Sequence, residues 1–343
     1  MGPAENVPDI DLEPQTEFTE VMWAEPTEVL ERWKAHEIKV APPVVTLLME
    51  IERTLQRTGR DMESAAADIA KRLPGRRSIL FAHGVEVIPI KTATLPPADH
   101  TNCYLVGDPD GDYVMVDPAV RMREDMEVLA TAVERHRGNL VAILFTHSHS
   151  DHLADMSLLR EAFDVPIWGS KYTAKTVPCG RILEDGEVLT LGSQSWTVLI
   201  TPGHHPGHVC LLSEAGLVAG DMLAGIGTIL IPPHTGNMTE YIAQLERLKA
   251  LKPHLVFPSH GPVVAVPERL IDHYIKHRKA RHANVLSAVR SGASNLNAIA
   301  VEAYADTPDA HPGLAVDQTL SHLMALEAEG NVMQENGAWS VRA

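Results

Sequence analysis

Apolar positions change their spacing along the chain, and each change predicts a different kind of element. In residues 21–73 they recur at helical steps, with Leu47, Leu48, Ile51 and Leu55 forming one stripe. Pro26 suits the start of a helix and Pro42-Pro43 interrupts the pattern. Pro74-Gly75-Arg76-Arg77 has the composition of a boundary. From Gly84 the rhythm shortens. Runs 85–90, 102–106 and 113–116 are apolar and separated by Gly, Asp and Pro, which predicts strands joined by turns. A helix is expected over 124–137, a buried strand over 141–145 and a helix over 153–163. Strands follow at 187–191, 195–200, 209–213 and 217–219, then a helix at 241–251 and a strand at 255–257. Helical spacing returns from Pro267 to about Leu326, and residues 331–341 read as strand, turn, strand. The middle predicts sheets covered by helices. Helices closed by a terminal hairpin follow the order of a winged helix. No internal repeat is visible.

Composition narrows this picture. A chain of 343 residues with 45% apolar and 22% charged residues has the material for two or three globular units. No apolar run approaches the ~20 residues that cross a bilayer. Residues 1–11 lack the basic start and apolar stretch of a secretory signal. Cys103, Cys179 and Cys210 form no disulfide framework, so a reducing, cytoplasmic setting is expected. The net charge is −16, and residues 1–30 hold eight carboxylates and no Lys or Arg; residues 1–20 read as a mobile tail. Such a chain repels phosphate backbones, so nucleic acid is a disfavoured partner. The cluster Lys276, Arg278, Lys279 and Arg281, with His277 and His282, reads as a solvated helix face. Residues 275–343 hold six Lys or Arg against seven Asp or Glu, which is no RNA-binding balance.

The chemistry is concentrated at strand ends. Directly after the strand at 141–145 stands Thr146-His147-Ser148-His149-Ser150-Asp151-His152. Residues two apart in an extended loop point the same way, so His147 and His149 can reach one metal together. Asp151 and His152 follow where a helix is expected to begin and turn toward a second position. Imidazole and carboxylate are the zinc ligands of choice where no thiolate is at hand. Thr201-Pro202-Gly203-His204-His205-Pro206-Gly207-His208 follows another strand, with His204 as the ligand and His205 and His208 pointing away or supporting it. Gly220-Asp221 places a carboxylate where it can bridge two ions, and Pro258-Ser259-His260-Gly261 adds a histidine after a fourth strand.

His147, His149, Asp151, His152, His204, Asp221 and His260 together resemble the full ligand set of the metallo-β-lactamase superfamily. The resemblance spans roughly residues 85–272 and includes Asp117, which matches a structural aspartate. It implies an α+β fold, the four-layer αββα sandwich, with two zinc ions at one edge, iron or manganese being the other metals the site admits. By that resemblance His147, His149 and His204 hold the first ion, Asp151, His152 and His260 the second, and Asp221 bridges. A shared water would be acidified from ~15.7 to about 7 and attack as hydroxide. Asp151 would orient it or shuttle its proton. Asp117 and Thr146 are placed as supporting groups.

Thr101-Asn102-Cys103-Tyr104-Leu105-Val106-Gly107, Ala219-Gly220-Asp221 with Gly225-Ile226-Gly227-Thr228, and Tyr274-Ile275-Lys276-His277-Arg278 resemble the branch typified by the β-lactamase-like protein 2. That branch carries a C-terminal winged helix, and its animal members are single-strand-preferring endoribonucleases. Residues 23–51 resemble the tail of Nudix hydrolases without their catalytic box.

The expected organisation is therefore an acidic tail and helical N-terminal extension over 1–77, the metallo-β-lactamase domain over 78–272 and a winged-helix-like domain over 273–343. The expected function is metal-dependent hydrolysis of an ester, thioester, lactone or similar small molecule. Asp221 stands where Cys-ligand lactamases need Cys, and Ala224 where lactonases often carry Tyr. Only 38 residues separate Asp221 from His260, too few for a nucleic-acid-processing insert. A glyoxalase II-type thioesterase and an endoribonuclease are the alternatives, with a one-iron persulfide dioxygenase behind them. A non-catalytic role for the winged helix, including homodimerisation, is the remaining class. Loops 95–100 and 231–238, with His100 and His234, are the candidate pocket walls; substrate contacts are otherwise unassigned.

Overall fold

The computed structural model describes residues 24–71 and 79–342. The chain divides after Arg77 into two compact units. The expected tail over 1–20 and the turn at 74–77 lie outside the described residues.

The first unit holds α1 (Pro26–Lys34), α2 (Pro42–Arg57) and α3 (Met62–Lys71). Prolines open α1 and α2, where the missing N–H costs nothing. The buried face of α2 is Val45, Glu52, Thr54 and Leu55, so the apolar stripe expected from Leu47 is rotated; Leu47 is 44% exposed. Glu52 occupies the inward position instead, where Gln56 Nε2 (3.1 Å) and Arg60 Nη1 (3.2 Å) donate to its carboxylate.

The second unit contains two sheets. Strands β1 (Ile79–Ala82), β2 (Val85–Lys91), β3 (His100–Gly107), β4 (Asp112–Val116), β5 (Asn139–Leu144), β6 (Ile167–Gly169) and β7 (Arg181–Ile182) lie side by side in that order. Pairing is antiparallel through β4 and parallel from β4 to β7. The second sheet has the order β12 (Val256–Pro258), β11 (Gly216–Gly220), β10 (Val209–Ser213), β9 (Gln194–Ile200) and β8 (Val188–Leu191). Strands β1, β6 and β7 were not expected from the apolar pattern; they are short pieces at or next to the sheet's edges, with too few alternating positions to show a period.

Alternation along each strand builds four layers. On β3, Tyr104 and Val106 face the second sheet's Trp196, Val198 and Leu211, while Cys103 and Leu105 face outward. The outward face packs on Met126 and Leu129 of α4 (Arg123–Arg135) and Leu159 of α5 (Met156–Ala162). The second sheet's outer residues Leu199, Cys210 and Leu217 pack on Tyr241 and Leu245 of α6 (Met238–Leu251) and Ile271 of α7 (Pro267–Arg290). This is the αββα sandwich. Helix α5 starts later than expected because Asp155 caps it, accepting from Ser157 N and Leu158 N. Residues 151–154 are thereby left as a turn.

The sheets are laced together at one rim. Asn102 Nδ2 donates to Pro258 O and Gly261 O, both at 2.9 Å, Tyr104 Oη donates to Pro258 O at 2.6 Å, and Asn102 N reaches Ser259 O at 2.7 Å.

Beyond α7 come α8 (Leu296–Ala303), α9 (Pro312–Ala328) and the hairpin β13 (Val332–Glu335) with β14 (Ala338–Val341), sharing a core around Val285, Ile299, Leu323 and Trp339. The basic cluster on α7 is the solvated face expected at Lys276 and Lys279, which are exposed, but not at its two arginines. Arg278 and Arg281 are 2% and 4% exposed. Arg281 donates to Ala303 O, Asp306 Oδ1 (2.8 Å) and Thr307 Oγ1 (3.0 Å) and lies over the Tyr304 ring. Lys279 pairs with Glu246 at 2.7 Å. The Arg281 guanidinium fork thus caps the end of α8 and the residues after it.

The same region contains His277 and His322, both held neutral by burial and by Arg278 close by; His277 is lowered to about 4 and His322 well below its ordinary value. Once unfolded, both protonate near pH ~6.5. The unfolded chain therefore binds more protons between about pH 6.5 and 4, so stability is full above that window and falls as pH drops through it. Melting at pH 5 is expected several degrees below melting at pH 7.5, each kcal/mol moving the midpoint by roughly 2–4 °C. His322→Leu should narrow that gap, and a gap unchanged in the variant would contradict this account.

Candidate metal centre

The turn after β5 is closed by backbone bonds from His152 N (3.1 Å) and Leu153 N (3.2 Å) to His149 O, and Asp117 organises its start. Asp117 takes a left-handed φ of 48° at the end of β4, which directs its carboxylate across to the neighbouring strand. Oδ1 accepts from Thr146 N (2.8 Å), while Oδ2 accepts from Thr146 Oγ1 (2.6 Å) and His152 Nδ1 (2.9 Å). Because the Thr146 hydroxyl gives its only proton to Asp117, it accepts from His147 Nδ1 at 3.0 Å. His204 Nδ1 donates to Leu230 O (2.6 Å) and His260 Nδ1 to His100 O (2.9 Å). Four histidines thus spend Nδ1–H on an oxygen and turn Nε2 the other way, the arrangement that prepares imidazole for a metal.

Those nitrogens converge. His204 Nε2 lies 3.2 Å from His147 Nε2 and 2.8 Å from His149 Nδ1, and the latter two are 3.0 Å apart. Alongside, His260 Nε2 is 3.6 Å from Asp151 Oδ2, and His152 Nε2 is 4.0 Å from Asp151 Oδ1. Asp221 stands between the two groups. Its Oδ2 is 3.5 Å from His204 Nε2, and its Oδ1 is 3.4 Å from both His152 Nε2 and His260 Nε2. Among the described residues three clusters could each hold an ion: His147, His149 and His204; His147, His152 and Asp221; Asp151, His152 and His260.

A metal fits these residues on two grounds. His152 Nε2 and Asp221 Oδ1 are buried without any hydrogen-bond partner, a costly state unless something else takes their lone pairs. Burial also keeps His147 and His149 below the ordinary histidine value and His204 down at about 4, so all three are neutral donors. Burial works against charge on Asp221 too, but His152 and His260 overcome it and hold the carboxylate ionised.

His208 and His205 use both ring nitrogens elsewhere, as their supporting assignment expects. His208 Nε2 accepts from Asp221 N (2.9 Å) and its Nδ1 meets Thr201 Oγ1 (2.8 Å), so it fixes the backbone that presents Asp221. Gly220 makes room for this at φ 51°, since a Cβ there would come within 2.4 Å of His208 Nε2. His205 Nδ1 accepts from Gly207 N and its Nε2 faces Ser148 Oγ.

A cavity of about 330 Å³ opens above the cluster. One wall is residues 93–98, in line with the expected loop. The other is residues 226–230 with Pro232, not 231–238; neither His100 nor His234 lines it. His100 turns its ring to Asp99 (2.6 Å) and contributes through its carbonyl. The second wall was missed because Ile226, Gly227, Ile229 and Leu230 carry no chemistry-bearing side chain.

Comparison with known proteins fits this geometry. Residues 96–260 match the Metallo-beta-lactamase superfamily. The chain carries a metallo-beta-lactamase superfamily domain. It is similar to the Beta-lactamase-like protein 2 homolog of Drosophila melanogaster, 29% identical over 255 residues, covering 69% of this chain and 86% of that one. It is 35% identical over 163 residues to a Hydroxyacylglutathione hydrolase of Yersinia pestis, covering 46% of this chain and spanning only 60% of the relative. A beta-lactamase domain protein from Burkholderia ambifaria superposes with a TM-score of 0.65 at 22% identity, over 80% of this chain and 98% of that one, which speaks for the fold alone. The match over residues 96–260 and the similarity to the hydroxyacylglutathione hydrolase support a metal-dependent hydrolase. Among the described residues no helix is long and apolar enough to cross a membrane.

Asp117→Asn tests the organising role of Asp117, since an amide NH2 would face the His152 Nδ1–H. Divalent-metal affinity is expected to fall ~10–100-fold, read by chelator competition. An unchanged affinity would remove Asp117 from this role.

Proposed function

We propose that the chain is a dinuclear zinc hydrolase acting on an ester, thioester, lactone or similar small substrate. His147, His149 and His204 would hold one ion and Asp151, His152 and His260 the other, with Asp221 shared. The observation that carries this reading is the division of the Asp221 carboxylate, one oxygen toward His204 and the other toward His152 and His260. Bound ions would supply an acidified water and a polarised carbonyl oxygen. Asp151, part-exposed and among the residues lining the cavity, would accept the proton released by that water. The all-nitrogen-and-oxygen donor set also admits iron or manganese.

The cavity supports an uncharged acyl group as the bound part. Leu95, Pro96, Pro97, Ile226, Ile229 and Leu230 supply apolar walls, and no Lys or Arg is among the lining residues. The inward Arg278 and Arg281 leave only Lys276 and Lys279 of the cluster exposed, which weakens the phosphate-binding surface that an endoribonuclease reading needs on α7. Hydroxyacylglutathione hydrolysis is the second reading, favoured by the likeness to the Yersinia pestis relative. The order α7, α8, α9, β13, β14 supports reading the C-terminal part as a winged helix. The deciding experiment is metal analysis followed by a hydrolysis screen of zinc-loaded protein against thioesters, lactones, phosphodiesters and RNA. Turnover of neutral acyl substrates is expected. A single iron, or cleavage confined to RNA, would sink the proposal.

A further inference from the structure

We propose that the C-terminal helices complete the active site, with Arg278 of α7 and Gln318 of α9 as positioning residues for the cavity wall and, through it, for His204. The proposal rests on the metal-centre reading above where it concerns His204.

The wall at 228–232 is irregular chain that borders the cavity. Buried irregular backbone needs partners for its polar groups. Side chains supply them here. Arg278 donates to Ile229 O and to Thr228 Oγ1 (3.1 Å). His204 Nδ1 takes Leu230 O. Gln318 brackets Ile231, accepting from its N–H (3.2 Å) and donating to its carbonyl (2.8 Å), and Ser321 Oγ adds a second bond to that carbonyl at 2.7 Å. Arg278 Nη1 also donates to Gln318 Oε1 (3.1 Å), so the two helices act on the wall as one bonded unit. Arg278, Gln318 and Ser321 are all buried.

Two consequences follow from this placement. Ile229 and Leu230 form apolar lining, so their position sets the fit of the bound acyl group. Leu230 O fixes the tautomer and tilt of His204, so a displaced wall also loosens a candidate ligand. The C-terminal helices thereby reach the chemistry without any of their own residues lining the cavity.

Gln318→Leu keeps the side-chain bulk and removes both bonds to Ile231. Three measurements on the full chain test it: hydrogen exchange at residues 224–237 without metal, zinc affinity by chelator competition, and hydrolysis of p-nitrophenyl acetate. Exchange at the Ile231 amide is expected to rise at least ~10-fold, zinc affinity to fall ~10-fold or more, and KM to rise more than kcat falls. A lower melting temperature with Ile231 exchange, zinc affinity and KM all within about twofold of wild type would overturn the proposal and leave Gln318 a packing residue. If Gln318→Leu fails to fold, Ser321→Ala, which deletes one bond to Ile231 O, carries the same comparison with an expected threefold-scale effect. Wild-type protein that takes up no zinc would overturn the metal reading and the His204 half of this one; exchange at Ile231 then decides the wall by itself.

Discussion

Asp221→Ala is expected to lower kcat/KM by at least ~10³-fold while the sandwich stays folded. Removing the shared carboxylate takes away the group whose two oxygens face the two proposed ligand sets. Loss of Lewis-acid polarisation costs several kcal/mol, and ~4 kcal/mol corresponds to about three powers of ten in rate. Folding survives because the structural contact at this position is made by the backbone, Asp221 N to His208 Nε2, which alanine retains. On the proposed dinuclear assignment, metal content should drop from about two ions to one or fewer. Near-normal turnover in the variant would show that the mechanism does not pass through this carboxylate.

Arg281→Ala is expected to destabilise the chain by about 2–4 kcal/mol, from lost buried hydrogen bonds and a cavity beside Tyr304. Lys279→Ala, which removes only a surface pair with Glu246, should change stability by less than ~0.5 kcal/mol. Urea midpoints measure both. RNA binding at two salt concentrations completes the comparison, because each real phosphate contact steepens the salt dependence. A stable Arg281→Ala with a flattened RNA salt slope would reverse the structural account of α7.

Much of the fold could be read in advance because its strands bury both faces or alternate cleanly, as along β3 and β4. The candidate ligands could be picked out because histidine and aspartate at four strand ends have no packing reason to recur. What escaped depends on direction in space. A run of Lys and Arg on α7 does not reveal that Arg278 and Arg281 turn inward, since their partners lie on residues 228–229 and 303–307. Leu47 and Val45 look alike in composition, and only the place taken by Glu52 decides which faces inward. The cavity wall at 226–230 escaped for a different reason: its role comes from backbone carbonyls, which every residue has.

The lacing of β3 to the residues after β12 has a kinetic meaning. His147, His149, Asp151 and His152 follow β5 of the first sheet, whereas His204, Asp221 and His260 follow strands of the second. Neither half of the chain alone can assemble both proposed ion sites, and the rim where Asn102 and Tyr104 join Pro258 closes only when the sheets have docked. Metal capture would then be a late event, downstream of the barrier to folding. On the proposed assignment, zinc acts as a latch on a finished molecule: it slows escape from the native state and leaves the speed of reaching it unchanged.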